Sequence, residues 1–365
     1  MNRTAFLLVI AAAACAAKPS LERFEYRAVR MGTEVRVLLY SDSAGKAANA
    51  AAAAFARISV LDSLMSDYRT DSEVHRIAQA AGGEAVPVSD EMVYVLERAL
   101  RIAAETEGMF DPSIGPVTRL WRSARRTGSS PDSLALAAAR RLVDWRAIEL
   151  DTIRHTVRLR VPGMSLDLGA IAKGYAADEA LRVLREHGLA RALVAFGGEI
   201  VAGRPPPDRD GWRVTGLRPA IGAPATIPSA CAHRATRCAG EIVPAPRPSP
   251  RREPVEWSRS RLAETILLAD GALSASGDTE QFLYVDGVRH SHVIDTRSGR
   301  GRSGGARATV RAPDGITADV LATAATLLDE DDRARFIAAH PEAEFRLFLP
   351  RRIEREERIQ QDSIL

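Results

Sequence analysis

Between residues 221 and 259 the chain carries seven of its 20 prolines, at 224, 228, 244, 246, 248, 250 and 254. Proline lacks a backbone N–H and has a locked φ, so a run this dense cannot continue a helix or the interior of a sheet. The segment cannot bury a core of its own, and it reads as a long surface insertion within one domain of residues 25–350. It holds six arginines (234, 237, 247, 251, 252 and 259) against three glutamates (241, 253 and 256), a local charge of +3. The whole chain of 365 residues has 50 Lys+Arg and 47 Asp+Glu, so its formal +3 equals the charge of the insertion. The rest of the chain sums to zero. A balanced body gives no basic face for nucleic acid. Three cysteines exclude a disulfide-built scaffold, and 46% hydrophobic residues exclude wholesale disorder.

On either side of the insertion the periodicities are readable. Val35–Tyr40 is expected as a strand, and the Ala-rich stretch Ala44–Leu64 as a helix with Phe55, Ile58, Val60, Leu61 and Leu64 as its larger apolar residues. A second helix spans Asp90–Glu105 behind a Ser89 N-cap, with Gly108 as its stop. A third follows Ala172, buries Leu181, Val183 and Leu184, and closes at His187-Gly188. Leu193–Phe196 is a short buried strand ending at Gly197-Gly198. Gln281–Val285 and Val288–Ile294 flank Asp286-Gly287, a two-residue hairpin signal. Ala308–Ala312 is a last strand before a helix over 317–328. Helices and hairpins alternate irregularly, which predicts an α+β fold of mixed or antiparallel sheets with packed helices, not a doubly wound parallel sheet.

The N-terminus has one positive residue, Arg3, then an uncharged run from Thr4 to Ala17, too short for a membrane-spanning helix. Cys15 follows Ala12-Ala13-Ala14 and resembles the cleavage box of a bacterial lipoprotein. That reading makes residues 1–14 a signal peptide, Cys15 the lipidated anchor, and 15–24 a tether. An ordinary cleaved signal with an incidental cysteine is the alternative. Either places the body on the periplasmic or extracellular side, where Cys231 and Cys238 are expected to pair. Free thiols, or a metal site with His233, are the other options. Residues 351–365 read as a charged, solvated tail.

Four segments hold chemistry-bearing residues. In Ser165–Asp178, an acid (Asp167), a glycine (Gly169) and Lys173 sit where a strand is expected to enter a helix. Lys173 and the first helical amides suit a phosphate, and Asp167 suits a base or ribose, though a solvated acid–lysine pair fits equally. Asp319 and Thr323 lie four apart on one helical face, a hard-oxygen pair suited to Mg2+, although a helix-start acid and a back-bonded threonine are commoner. His290 and His292 fall on one face of an expected strand. His-x-His can ligate zinc, but no third ligand is spaced for it, so a single working imidazole, His292, is the better functional reading beside a structural one. Met31-Gly32-Thr33, Met65–Tyr68 and Gly108–Pro116 supply apolar and aromatic surfaces on which a planar ring can stack.

In order, these pieces resemble the ApbE family of FAD:protein FMN transferases. The run is MGT (31–33), MSDYRTDSEVHRI (65–77), GMFDPSIGPVTRLW (108–121), SLDLGAIAKGYAAD (165–178), FGGEI (196–200), SASGD (274–278), GVRHSHVIDTRSG (287–299) and ADVLAT (318–323). The resemblance implies an ApbE-like, T-fold-related architecture and a bacterial periplasmic lipoprotein. It further implies binding of FAD and Mg2+, and transfer of FMN to a threonine hydroxyl of an acceptor flavoprotein with release of AMP. Carried over by position, FAD meets Met31, Tyr68, Met109, Phe110, Asp111, Asp167, Lys173 and Val293. Mg2+ meets the Ala170 and Ala322 carbonyls and the Asp319 and Thr323 side chains, and His292 takes the family's functional histidine position. Thr296, Thr279 and Glu199 stand where the family usually has proline, tyrosine and aspartate. A metal-dependent FAD pyrophosphatase and a non-catalytic FAD-binding lipoprotein are the rival activities.

Overall fold

The computed structural model describes residues 20–216, 243–244, 264–277, 282–285, 288–302 and 306–348. Cys15, Cys231, His233, Cys238, Thr279, the Asp286-Gly287 turn and the tail lie outside these residues. So does the insertion, apart from Val243-Pro244.

Eight strands form one antiparallel sheet in the order 344–348, 307–312, 271–277, 199–202, 192–196, 33–41, 22–30 and 243–244. The first strand, Glu22–Arg30, already pairs Glu22 with Ser41, so the folded body begins inside the stretch expected as tether. Met31 and Gly32, both at positive φ (46° and 73°), make the two-residue turn to Thr33–Ser41, the backbone that a tight hairpin requires. Val243-Pro244 pairs with Tyr26 and Arg27 at the sheet's edge, a position where proline's missing donor costs no ladder bond.

The middle of the sheet is covered on both faces, which is why Ala192–Phe196 reads as an unbroken apolar run. Val35, Val37, Leu39, Ala192, Val194 and Phe196 face a core built with α1 (Ala44–Met65), α3 (Asp90–Glu105), α6 (Ala172–Glu186) and α7 (Gly315–Leu327). The alternate residues Leu38, Leu193 and Ala195 pack on Trp212, Val214, Ile266 and Leu268 from a two-stranded sheet on the other side. In α1, Ala47, Ala50, Ala51 and Ala54 are buried at helical spacing, and their small side chains let α6 approach closely. Ser43 and Ser89 cap α1 and α3, accepting from Lys46 N–H and Met92 N–H. Around these lie α2 (Glu73–Gln79), α4 (Gly115–Thr127), α5 (Ser133–Arg140), α8 (Glu330–Ala338) and a three-stranded sheet of 86–87, 148–151 and 156–159.

Two local expectations are corrected. No strand leads into α6: Ser165 makes only an isolated bridge to Ile114, and the approach is a loop tied down where Pro112 C=O accepts the Asp167 N–H at 2.8 Å. The strand from Val288 ends at Ser291 instead of reaching Ile294. Ser291 Oγ accepts the Val293 N–H at 3.0 Å, a side-chain turn that bends the backbone at His292. Ile294-Asp295 then pairs with Arg300-Gly301. Alternation therefore stops before His292, and the reading of two histidines on one strand face does not hold.

Candidate active site

The end of the central sheet meets the start of α6 and one face of α7. Glu199 opens the strand Glu199–Ala202 opposite Ser274. Lys173, in the first turn of α6, donates to Glu199 Oε1 at 2.8 Å and stands 3.9 Å from Asp319 Oδ1. Asp319 Oδ2 accepts the Gly174 N–H at 2.9 Å, so the helix-start amide expected to meet a phosphate is answered by a carboxylate of the chain itself. Thr323, one turn beyond Asp319, donates to Ser276 Oγ at 3.4 Å. Ala170 lies in the loop before α6, while Ala322 is buried within α7.

The charges of this cluster do not balance. Two carboxylates face one ammonium, with Glu199 only 4% and Asp319 only 3% exposed. Burial, aided by Asp319 and opposed by Lys173, pushes the Glu199 carboxyl up to about 8. Burial also works to discharge Lys173, but Asp319 and Glu199 outweigh it and hold the ammonium above the ordinary lysine value. Glu199 Oε2 and Ser274 Oγ are buried without a hydrogen-bond partner. An orphaned acceptor beside an excess carboxylate is a place for a cation or a proton.

Asp167, six residues before Lys173, begins a second cluster. Its Oδ1 accepts the Gly169 N–H at 2.8 Å, and its Oδ2 accepts from Arg122 Nη2 at 2.8 Å. Arg122 also pairs with Asp67, and its guanidinium lies 4.5 Å from the centre of the Tyr68 ring. Tyr68 is 76% exposed, a free aromatic face on a fixed base. Sequence reasoning missed Arg122, although Arg119, Arg122 and Arg125 recur at the three-residue spacing of one helix face. Arg119 donates to Ser165 Oγ at 2.6 Å, so α4 grips the loop at two points.

Met109 and Phe110 are buried in the core behind this loop. The Asp111 carboxylate turns inward, accepting from Ser113 N–H at 2.8 Å, Ser113 Oγ at 2.7 Å and Trp145 N–H at 3.0 Å. Burial pushes it up to about 6 in spite of these donors. Its side chain shapes the loop, which leaves backbone for any ligand. Thr296 donates to the Gly108 carbonyl at 2.8 Å, and Trp121 Nε1 to the Gly299 carbonyl at 2.7 Å, joining this loop and α4 to the segment that carries His292. Val293 is buried, His292 is exposed, and His290 packs 5.0 Å from the Trp121 ring. Met31 is half-buried at the hairpin turn, and Thr33 beside it lies near Gly197. Among the described residues no group of three or more His, Cys, Asp or Glu is placed to hold a metal, so a metal here would need hydroxyl, carbonyl or substrate oxygens as well.

A family model described as the ApbE family matches residues 31–347. A FAD:protein FMN transferase of Treponema pallidum is 29% identical over 334 residues, covering 90% of this chain and 84% of the relative. One of Vibrio cholerae serotype O1 is 30% identical over 273 residues, covering 73% of this chain and 70% of the relative. Among solved structures, the flavin transferase ApbE from Vibrio cholerae superposes with a TM-score of 0.69 at 24% identity, over 91% of this chain and 98% of that one. The ApbE protein of Thermotoga maritima gives 0.71 at 23% identity, over 90% and 97%. These likenesses show the shared fold of mixed helices and antiparallel sheets.

Proposed function

Since this chain belongs to the ApbE family, we propose that it transfers the FMN moiety of FAD to a threonine hydroxyl of an acceptor flavoprotein and releases AMP. The observation that carries this reading is the half-buried Lys173 set against the buried Glu199 and Asp319, joined through the 167–173 segment to the exposed ring of Tyr68. One end suits a pyrophosphate and its counter-ion, the other a planar ring. In this reading Met31, Tyr68, Met109, Phe110, Asp111, Asp167, Lys173 and Val293 are the FAD contacts, the buried Met109, Phe110, Asp111 and Val293 through the segments they hold.

The donor set fits Mg2+: hard oxygens, one carboxylate in excess, and the orphaned Glu199 Oε2 close by. Asp319 and Thr323 would hold the ion with the Ala170 and Ala322 carbonyls. When bound, it neutralises charge developing on the phosphate oxygens and on departing AMP. Lys173, kept charged by its two carboxylates, adds a fixed positive charge at the same place. His292, exposed at the bend after Ser291, is within reach of an incoming protein and takes the threonine proton as its oxygen attacks the FMN-side phosphorus. Phosphoryl chemistry leaves little covalent work for the protein, so positioning and charge dominate.

Cys15 is the lipid attachment point in this reading, holding the enzyme on the periplasmic side of a bacterial membrane. The apolar N-terminal run with its single positive residue supports that placement. No helix among the described residues is long and apolar enough to cross a membrane.

The test mixes the full chain with FAD and Mg2+, with and without an acceptor protein, and reads mass and AMP. FMN covalently on the acceptor is the expected result. Free FMN and AMP without acceptor labelling would make it a pyrophosphatase, and intact FAD a carrier.

A further inference from the structure

The crossing of α6 and α7 is held by two carboxylates acting in opposite directions. Asp178, in the second turn of α6, accepts the Gly315 N–H on Oδ1 at 2.7 Å and the Ile316 N–H on Oδ2 at 2.9 Å, the first two amides of α7. Asp319, in the second turn of α7, accepts the Gly174 N–H in the first turn of α6. Each helix start is thus satisfied by the other helix. Between the two carboxylates the backbones touch. A Cβ on Gly174 would lie 2.2 Å from the Gly315 carbonyl oxygen, and one on Gly315 would lie 2.6 Å from that of Gly174.

Helix α7 already has a local cap, because Asp314 Oδ1 accepts the Thr317 N–H at 2.9 Å. Asp178 is therefore not needed to start the helix. What it adds is an anchor on a different element. Moving α7 along α6 would break both carboxylate contacts and would carry Asp319 away from Lys173.

We infer that Asp178 is a positioning residue for the metal end of the site, fixing α7 on α6 and so holding Asp319 beside Gly174 and Lys173. The inference rests on the reading of that end as metal-binding. Its side-chain hydrogen bonds go to Gly315 and Ile316, so it acts through α7 and not on the ion.

The experiment titrates Mn2+ into the FAD-loaded full chain, reads free Mn2+ by electron paramagnetic resonance, and records Tm for each variant. Asp178→Ala should keep FAD and raise the Mn2+ dissociation constant by about tenfold or more, the scale expected when a residue supporting a ligand is lost. Asp178→Asn, which keeps one acceptor oxygen, should raise it less. Asp314→Ala, which removes the local cap, should lower Tm but leave Mn2+ affinity unchanged. Wild-type affinity in both Asp178 variants would overturn the inference. So would an Asp314→Ala variant that loses affinity in step with its Tm, since general loosening of α7 would then suffice. If Asp178→Ala does not fold, the comparison of Asp178→Asn with Asp314→Ala decides. A wild-type chain that takes up no Mn2+ sinks the metal reading and this inference with it; wild-type uptake indifferent to Asp178 sinks the inference alone.

Discussion

Arg122 donates to Asp167 across 2.8 Å, and this contact joins helix α4 to the loop that leads into α6. The same guanidinium pairs with Asp67 and lies over the Tyr68 ring, so one side chain gathers three segments that are far apart in sequence. Burial and the neighbouring Asp167 push the Asp67 carboxyl above its ordinary value, and Arg122 pulls against both.

Arg122→Gln should leave Asp67 and Asp167 facing each other without their cation and free Tyr68 from its base. The expected result is a rise of about tenfold or more in KM for FAD, about 1.4 kcal/mol, with a smaller effect on kcat. Steady-state transfer at varied FAD checks it. An unchanged KM would remove Arg122 from the flavin end.

His292→Ala should keep FAD affinity while transfer to the acceptor falls by about 10²–10⁴-fold, the usual worth of a general base. Flavin binding by fluorescence and acceptor labelling by mass, measured on the same preparation, separate the two effects. Wild-type labelling would show that the proton leaves by another route.

Lys173→Met and Glu199→Gln should differ in stability. Removing Lys173 takes away the cation that faces the buried Asp319 carboxylate, at a cost of about 3 kcal/mol, the low end for a buried pair because the Lys173 side chain is itself part-exposed. Glu199→Gln should cost much less, because the buried Glu199 carboxyl is already pushed up to about 8, so an uncharged amide changes little there at pH 7. Denaturant melts at pH 7 rank them, and the reverse order would contradict the charge balance described for this cluster.

Asp111 gives a pH signature. Its folded value, pushed by burial from the ordinary carboxylate range up to about 6, means that the native state binds a proton more readily than the unfolded chain. Its contribution is fully present below about pH 4 and is lost as pH rises through 6, up to about 3 kcal/mol. Asp111→Asn should flatten that part of the stability–pH curve. An identical slope in variant and wild type would assign the proton uptake to another group.

The helices at Ala44–Met65, Asp90–Glu105 and Ala172–Glu186 were legible because each is written locally, in an apolar spacing and a cap or a closing glycine. The bend at His292 was not, because alternation continued past a serine whose hydroxyl turns the chain. Asp111 was legible as important, yet not as a residue facing inward, since nothing in its loop's sequence says which way the carboxylate points.

By itself the sequence determined the order of the motifs, the α+β class and the residue types available to the site, because periodicity, capping and turn chemistry act over a few residues. Only the tertiary structure decided which charges meet: Lys173 with Glu199 and Asp319, Arg122 with Asp67 and Asp167, Asp178 with the first amides of α7. Those partners lie 26 to 146 residues apart, where no local period can register them. They are brought together because the sheet and helices bury a shared apolar core, and the charged residues at its edge must then find one another or go unpaired.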